Sequence, residues 1–316
     1  MKKLLTFLIL TLFAGGLGAW DAASAIPENA RGAILLRPAQ LFQVGSPLAL
    51  LQKSGEYRSI LQLLEITGVR QNPAEPLPEV LIVYFSAAEK MTIVSSSLTL
   101  TQVQEFLQDR FVSRGKGALN ATVHNGISLL EFTWYRSSNP EKYRRYQIAF
   151  PGNGTVIVGG HRDPLPLNRL TTRPSRMLGA LFAHAAASDS IFAATETPEE
   201  FQLELMGLAK NTRHAWGALA GANGMLTLRG RLTARNAADL PLVKSQLEAI
   251  NNLLLVALFG LDDALFQQLR KTIRWQSEKE DVVLSGALSA EVIAAMNEYY
   301  RNNRVSVGTM LKNTVK

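Results

Sequence analysis

Two patterns of hydrophobic positions recur along the chain, namely short apolar runs typical of strands and longer stretches with helical spacing. The clearest example is residues 281–300, where the apolar run 282–284 predicts a strand that stops at Gly286. Ser289 can then accept backbone N–H bonds as the N-cap of a helix, and Glu291 lies near the positive end of the helix dipole. This stretch therefore predicts a strand, a Leu-Ser step and a helix in succession.

The same succession occurs twice more. Residues 225–233 end in Leu-Thr and lead into the helical pattern of 236–258, and residues 91–99 end in Leu-Thr and lead into 101–113. Three copies of a strand, a Leu-Ser or Leu-Thr step and a helix predict a chain with an internal duplication.

The other segments complete two similar halves. Strands are predicted at 32–37, 80–85, 91–97, 122–124, 127–133, 146–150, 155–158, 190–194, 215–219, 225–232, 271–276 and 281–285. Helices are predicted between Ser46 and Gly68 and at 101–113, 175–187, 198–210, 236–258, 262–271 and 289–302. Each half reads β-α-β-β-α-β-β-α, with an extra hairpin in the first half.

Hairpins with helices between them predict an α+β fold, with mainly antiparallel sheets that helices cover. The first half spans 26–187 and the second half 188–304, followed by a flexible tail at 305–316. The sheet face that the helices do not cover must meet water, a ligand or the sister sheet. Packing of two apolar sheet faces would join the halves into one unit.

The first 25 residues are typical of a secretory signal peptide. Lys2 and Lys3 supply the positive charge, 4–17 is apolar, and Ala23-Ser24-Ala25 has the small residues that a signal peptidase requires. Cleavage there would start the mature chain near Ile26, in the periplasm or cell exterior of a bacterium. The alternative is an uncleaved N-terminal anchor. No later apolar run is long enough to span a membrane.

Charge and cysteine content exclude several classes of function. The 33 basic residues exceed the 26 acidic residues and give a net charge of +7, but they are spread along the chain and do not form the cluster that nucleic-acid binding requires. The absence of cysteine excludes disulfides, thiol catalysis, thiolate metal sites and the lipid-bearing cysteine of lipoproteins.

No catalytic, metal or cofactor motif is recognisable. The four histidines, His124, His161, His184 and His214, lack the spacing of a zinc hydrolase. A Ser-x-x-Lys match at 113–116 lacks the companion motifs of penicillin-recognising enzymes. We therefore predict no cofactor and no metal.

One group of residues could bind a ligand. Aromatic and basic side chains bracket a predicted polar loop at 134–145, where rings could stack on sugars and guanidinium groups could bind carboxylates or phosphates. Alternatively, the aromatic rings fold back onto the sheet. The candidate residues are Trp134, Tyr135, Arg136, Lys142, Tyr143, Arg144, Arg145 and Tyr146.

The chain resembles a group of exported bacterial proteins of unknown function. The resemblance lies in the signal peptide, the Pro-ended strand at 33–38, the duplicated strand-and-helix units and the hairpin at 148–158. It implies no activity. We expect a non-enzymatic protein that binds or scaffolds in the cell envelope, with envelope glycan or another envelope protein as partner. The alternatives are a hydrolase of envelope polymers with a site between the halves, and a subunit of a homo-oligomer.

Overall fold

The computed structural model describes most of the chain from Trp20 onward. The described residues are 20–42, 46, 55–71, 77–86, 89–135, 142–152, 154–171, 173–196, 208–222, 224–259, 267 and 271–294, with the backbone alone at 55–56, 208–209 and 250–259. The predicted signal residues 1–19, most of the predicted helices 198–210 and 262–271 and the predicted tail lie outside this set.

The described residues form twelve strands, which lie in one sheet with all neighbouring strands antiparallel. Its order is β11-β12-β10-β9-β8-β1-β2-β3-β7-β6-β5-β4. The strands are β1 Gly32–Leu36, β2 Val80–Tyr84, β3 Lys90–Ser95, β4 Gly117–His124, β5 Ile127–Tyr135, β6 Tyr143–Gly152, β7 Thr155–Gly159, β8 Ile191–Thr195, β9 Thr212–Ala222, β10 Met225–Ala234, β11 Arg274–Glu278 and β12 Asp281–Leu288. The α+β class and the antiparallel pairing are therefore confirmed.

In chain order, the described helices are interspersed among these strands. They are α1 Pro38–Leu41, α2 Gly55–Ile66, α3 Leu100–Arg110, α4 Arg176–Phe182, α5 Leu208–Asn211 and α6 Leu240–Phe259, with short 3₁₀ turns at Val112–Arg114, Leu167–Arg169 and Ala237–Asp239. Residues 290–294 are also helical. Within the described residues, no helix has the length and apolar character that crossing a membrane would require.

The predicted cap at Ser289 is confirmed, and Thr99, at the second of the three strand-to-helix steps, also caps its helix. Thr99 and Gln102 form a reciprocal capping box at the start of α3, and the backbone N–H of Val292 donates to Ser289 Oγ at 3.4 Å. At the third step, Thr233 is still a strand residue, and its hydroxyl donates to Asp281 Oδ1 on the neighbouring strand at 2.6 Å. The 3₁₀ turn begins at Ala237 and α6 at Leu240, four residues after the predicted helix start at 236.

Alternating side chains give the sheet two faces with different cover. On the first face, α2 and α3 pack over the buried residues Leu130, Phe132 and Ile148. Alternation along β10 and β12 places Leu232 and Val282 on this same face, where they pack with residues of α6. We call this side the helical face. On the opposite face, α4 and residues 20–30 cover the centre of the sheet.

The two predicted halves meet edge to edge, which differs from the predicted packing of one sheet face on another. Strands β1 and β8 pair antiparallel over five residues, from Gly32 opposite Thr195 to Leu36 opposite Ile191. Ladder hydrogen bonds therefore make one continuous sheet of the two halves, and no second sheet is needed to bury an apolar face.

Candidate functional site

The predicted binding loop is shorter than the sequence suggests. Strand β5 runs to Tyr135 and β6 begins at Tyr143, so that Trp134 lies opposite Arg144 and Tyr135 opposite Tyr143. Among the candidates, Arg136 lies outside the described residues and Lys142 is exposed just before β6. The aromatic residues at these strand ends suit paired strands, which is consistent with the longer ladder.

Strand alternation separates the candidate residues into two sets. Trp134 packs edge-on against Phe111 with 6.1 Å between ring centroids, and Tyr146 stacks on Phe132 at 6.0 Å. Both rings therefore contribute to the core of the helical face. Arg145 points to the opposite face, with its guanidinium 5.3 Å from the ring centroid of Tyr143. The structure does not bring the candidates into one surface patch.

Two candidates, Arg144 and Tyr146, meet other residues in a cleft under α2. Here α2 crosses the ends of β2, β3, β7 and β6 and leaves a volume of about 1050 Å³. Apolar side chains of α2 and of the sheet line its interior, namely Ile60, Leu63, Ile66, Ile82 and Val158. Polar groups form its rim, namely Ser59, Gln62, Tyr84, Lys90, Thr92, Arg144, His161, Arg162 and Asp163.

The rim of the cleft carries more positive than negative charge. Lys90, Arg144 and Arg162 bring cations, whereas Asp163 is the one carboxylate among the described residues that line it. The Lys90 Nζ to Asp163 Oδ1 distance is 3.6 Å, and both side chains are largely exposed, so this pair is weak. Neither Arg144 nor Arg162 pairs with a carboxylate of the described residues.

A tight turn holds three of the rim residues. The backbone N–H of Gly160 donates to the Asp163 carbonyl at 2.9 Å, and the N–H of Asp163 donates back at 3.1 Å. Gly159 is required before this turn, because a Cβ there would lie 2.7 Å from the backbone nitrogen of Leu165. The close approach returns the chain to the sheet and leaves His161 and Arg162 at the cleft.

Tyr84 offers a protonated phenol at the rim. Burial, and then the nearby carboxylate of Asp163, raise the pKa of Tyr84 above its ordinary value of 10.0. The hydroxyl therefore keeps its proton at neutral pH and can donate a hydrogen bond to an anion. The sequence does not single out Tyr84, Lys90 and Arg162 as site residues, because each lies on a different element and only the fold brings them together.

A second polar group lies on the opposite face of the second half. His214, Thr233 and Asp281 stand side by side on β9, β10 and β12. Asp281 also accepts from Arg231 at 3.0 Å, and Arg231 pairs with Glu278 at 3.3 Å. The Thr233 hydroxyl donates to Asp281 at 2.6 Å, so that β10, β11 and β12 are linked by one network of polar side chains.

His214 gives this group a pH dependence. Burial lowers the pKa of His214 below its ordinary value of 6.5, Arg213 lowers it further, and Asp281 partly opposes them. Below pH 6.5 the unfolded chain therefore gains a proton before the folded protein does, so stability falls until the pH reaches the lower folded pKa.

We expect His214→Gln to reduce this loss of stability. The drop in Tm between pH 8 and pH 5.5 should be smaller in the variant than in the natural chain. At pH 8 the His214 imidazole is neutral in both the folded and the unfolded chain. The difference in Tm between the two proteins at this pH therefore measures any loss of packing alone. An equal drop in the two proteins would show that His214 is not responsible.

Within the described residues, no group of three or more His, Asp and Glu side chains could hold a metal ion.

No family model matches the chain, and no curated protein matches its sequence. Similar solved structures include crystal forms I and III of TP0453, a protein of Treponema. Form I has a TM-score of 0.43 at 12% identity and covers 88% of this chain and 97% of that one. Form III has a TM-score of 0.46 at 11% identity, with 87% and 96% covered. At TM-scores below 0.5 this likeness supports no statement about function.

Proposed function

We propose that the protein is an exported, non-enzymatic binding protein of the bacterial cell envelope, and that the cleft under α2 holds its anionic ligand. The observation that carries the proposal is the excess of cations on the rim of the cleft. In the described part of the lining, Lys90, Arg144 and Arg162 face a single carboxylate, Asp163, which is already paired with Lys90.

The cleft suits a ligand that carries a carboxylate or a phosphate beside a less polar part. A guanidinium can bind either anion through two parallel hydrogen bonds. The apolar side chains inside the cleft, Leu63 and Ile82 among them, would cover the less polar part of the ligand. Bound anion and apolar contact together would give orientation as well as affinity.

Export and an envelope location rest on the N-terminal sequence. The two lysines, the apolar run and the small residues that follow are those of a secretory signal. Envelope polymers supply anions of the proposed kind, since glycans and their peptide links carry carboxylates and phosphates.

We also infer that the two halves are related by duplication. Outward from the central β1–β8 pair, the first half runs β1-β2-β3-β7-β6 and the second half runs β8-β9-β10-β12-β11. In the first half the last strand in the chain, β7, pairs with the third strand, β3, and β6 lies outside β7. In the second half the last strand, β12, pairs with the third strand, β10, and β11 lies outside β12. This common order supports the inference, and β5 and β4 then form the extra hairpin of the first half.

The cleft can be tested by affinity capture from a bacterial envelope extract. The immobilised protein should retain an anionic component, and Arg144→Glu with Arg162→Glu should reduce retention at least about tenfold, because reversing two contacting charges costs more than the 1.4 kcal/mol that a tenfold change represents. The matched control is Lys271→Glu with Arg274→Glu, which changes the net charge equally at exposed positions away from the cleft.

The control variant should retain as much as the natural chain. If both double variants lose retention equally, binding follows net charge and the cleft is not the site. If neither loses it, the ligand binds elsewhere. Circular dichroism of each variant establishes that the fold is intact before retention is compared.

A further inference from the structure

The strand β4 ends the sheet without the features that usually protect an edge. Edge strands commonly carry lysine, other charges or proline, because their outward N–H and C=O groups can pair with another chain. The eight residues of β4, Gly117–His124, include no proline and no Lys, Arg, Asp or Glu. Most of them are exposed, and Val123 is 71% exposed.

The other end of the sheet is different. There β11 has five residues and carries Arg274 and Glu278, with Lys279 and Glu280 in the turn that follows. Short length and charges of both signs disfavour the addition of a strand. The two edges therefore differ, and β4 is the one that is open to pairing.

The side chains of β4 are complementary to a second β4 in antiparallel orientation. If Ala121 lies opposite Ala121 of the second copy, Leu119 faces Val123 on the helical face, and the same pair repeats across the two-fold axis. On the other face, Asn120 meets Thr122, again twice. Apolar residues thus meet apolar residues, polar residues meet polar residues, and no like charges face each other.

We propose that β4 pairs with β4 of a second copy of this chain, centred on Ala121, so that two sheets join into one. Antiparallel pairing about a two-fold axis uses the same surface on both subunits and closes as a dimer. The pairing would cover Val123 and satisfy the outward backbone groups of the strand. It is independent of the ligand proposed for the cleft.

The absence of cysteine allows a direct test with the full chain. In the proposed register the two Cβ atoms at position 121 lie about 4.5–5.5 Å apart, close to the separation that a disulfide spans. Ala121→Cys should therefore form a disulfide-linked dimer under mild oxidation. Gln276→Cys, at the centre of the opposite edge strand, should remain unlinked.

Charge substitution at the same position supplies a second test. Ala121→Lys places two ammonium groups opposite each other and should raise the dissociation constant of the dimer at least about tenfold in sedimentation velocity, as should Ala121→Glu with two carboxylates. An equimolar mixture of the two variants should dimerise again.

A natural chain that is monomeric at high concentration would overturn the proposal. So would equal crosslinking at positions 121 and 276, which indicates random collision, or a dimer that Gln276→Lys disrupts and Ala121→Lys does not, which places the interface on β11. Failure of the Lys and Glu mixture to recover dimerisation would also count against it.

Discussion

Replacement of Asp189 by Ala should lower the free energy of unfolding by about 3 kcal/mol, the cost expected when one partner of a buried ion pair is removed. The Asp189 side chain is 2% exposed, and its two oxygens accept from Nε and NH2 of Arg229. Oδ2 also accepts the backbone N–H of Ala186 at 2.7 Å. A loss of about 3 kcal/mol is at the low end of what removal of one partner of a buried ion pair costs, because the Arg229 side chain is partly exposed and can turn to water.

The location of Asp189 explains why the loss should affect the whole fold. It lies in the turn between α4 and β8, which two arginines hold from opposite sides. Arg229 on β10 donates to the His184 carbonyl at 2.9 Å, and Arg37 after β1 donates to the Ala186 carbonyl at 2.6 Å. Arg37 also pairs with Glu79 at 3.1 Å. This turn therefore ties strands from both halves together at the centre of the sheet.

Urea unfolding at pH 7 measures the effect, and Glu278→Ala is the matched control. Glu278 also pairs with an arginine of β10, Arg231 at 3.3 Å, but it is largely exposed, so its loss should cost at most about 1 kcal/mol. Asp189→Asn keeps the shape and removes the charge, and we expect an intermediate loss. Equal stability of all three variants would mean that the buried carboxylate is not important.

Tight turns and helix caps could be predicted from the sequence because residues close together in the chain form them. Asn125 and Gly126 form the turn between β4 and β5 with φ values of 50° and 79°, as expected of Asn-Gly between apolar runs. Thr99 caps α3 for a similar reason. In each case neighbouring residues supply both partners of the interaction.

The features that were missed depend on residues distant in the chain. Thr233 could have capped a helix, but Asp281, 48 residues later, holds it in a strand. The β1–β8 pair joins segments more than 150 residues apart, and the sequence carries no sign of the partner. The cleft has the same origin, because only strand order brings Lys90, Arg144 and Arg162 together.

Removal of residues 20–25 should also destabilise the protein, by about 3 kcal/mol. The sequence predicts cleavage after Ala25, yet Ala22 and Ile26 are buried, and Trp20 packs against the same core. A chain that begins at Ile26 loses the contacts of Trp20 and Ala22, worth roughly 2 kcal/mol. It also places a charged amino group beside a fully buried side chain, at further cost.

The comparison is between a chain that begins at Trp20 and one that begins at Ile26, each unfolded thermally and in urea. Residues 26–28 pair with 173–175, since Ser175 N donates to the Ile26 carbonyl at 2.7 Å and Glu28 N to the Arg173 carbonyl at 2.8 Å. Loosening at Ile26 should therefore reach Ser175, the N-cap of α4, which hydrogen exchange at Leu178 would detect. N-terminal sequencing of the protein purified from its native cells adds the decisive observation. If it begins at Ile26 and is as stable as the longer chain, the packing of Trp20 and Ala22 does not contribute to folding. If it begins upstream of Trp20, the core keeps these residues and processing occurs before Ala25.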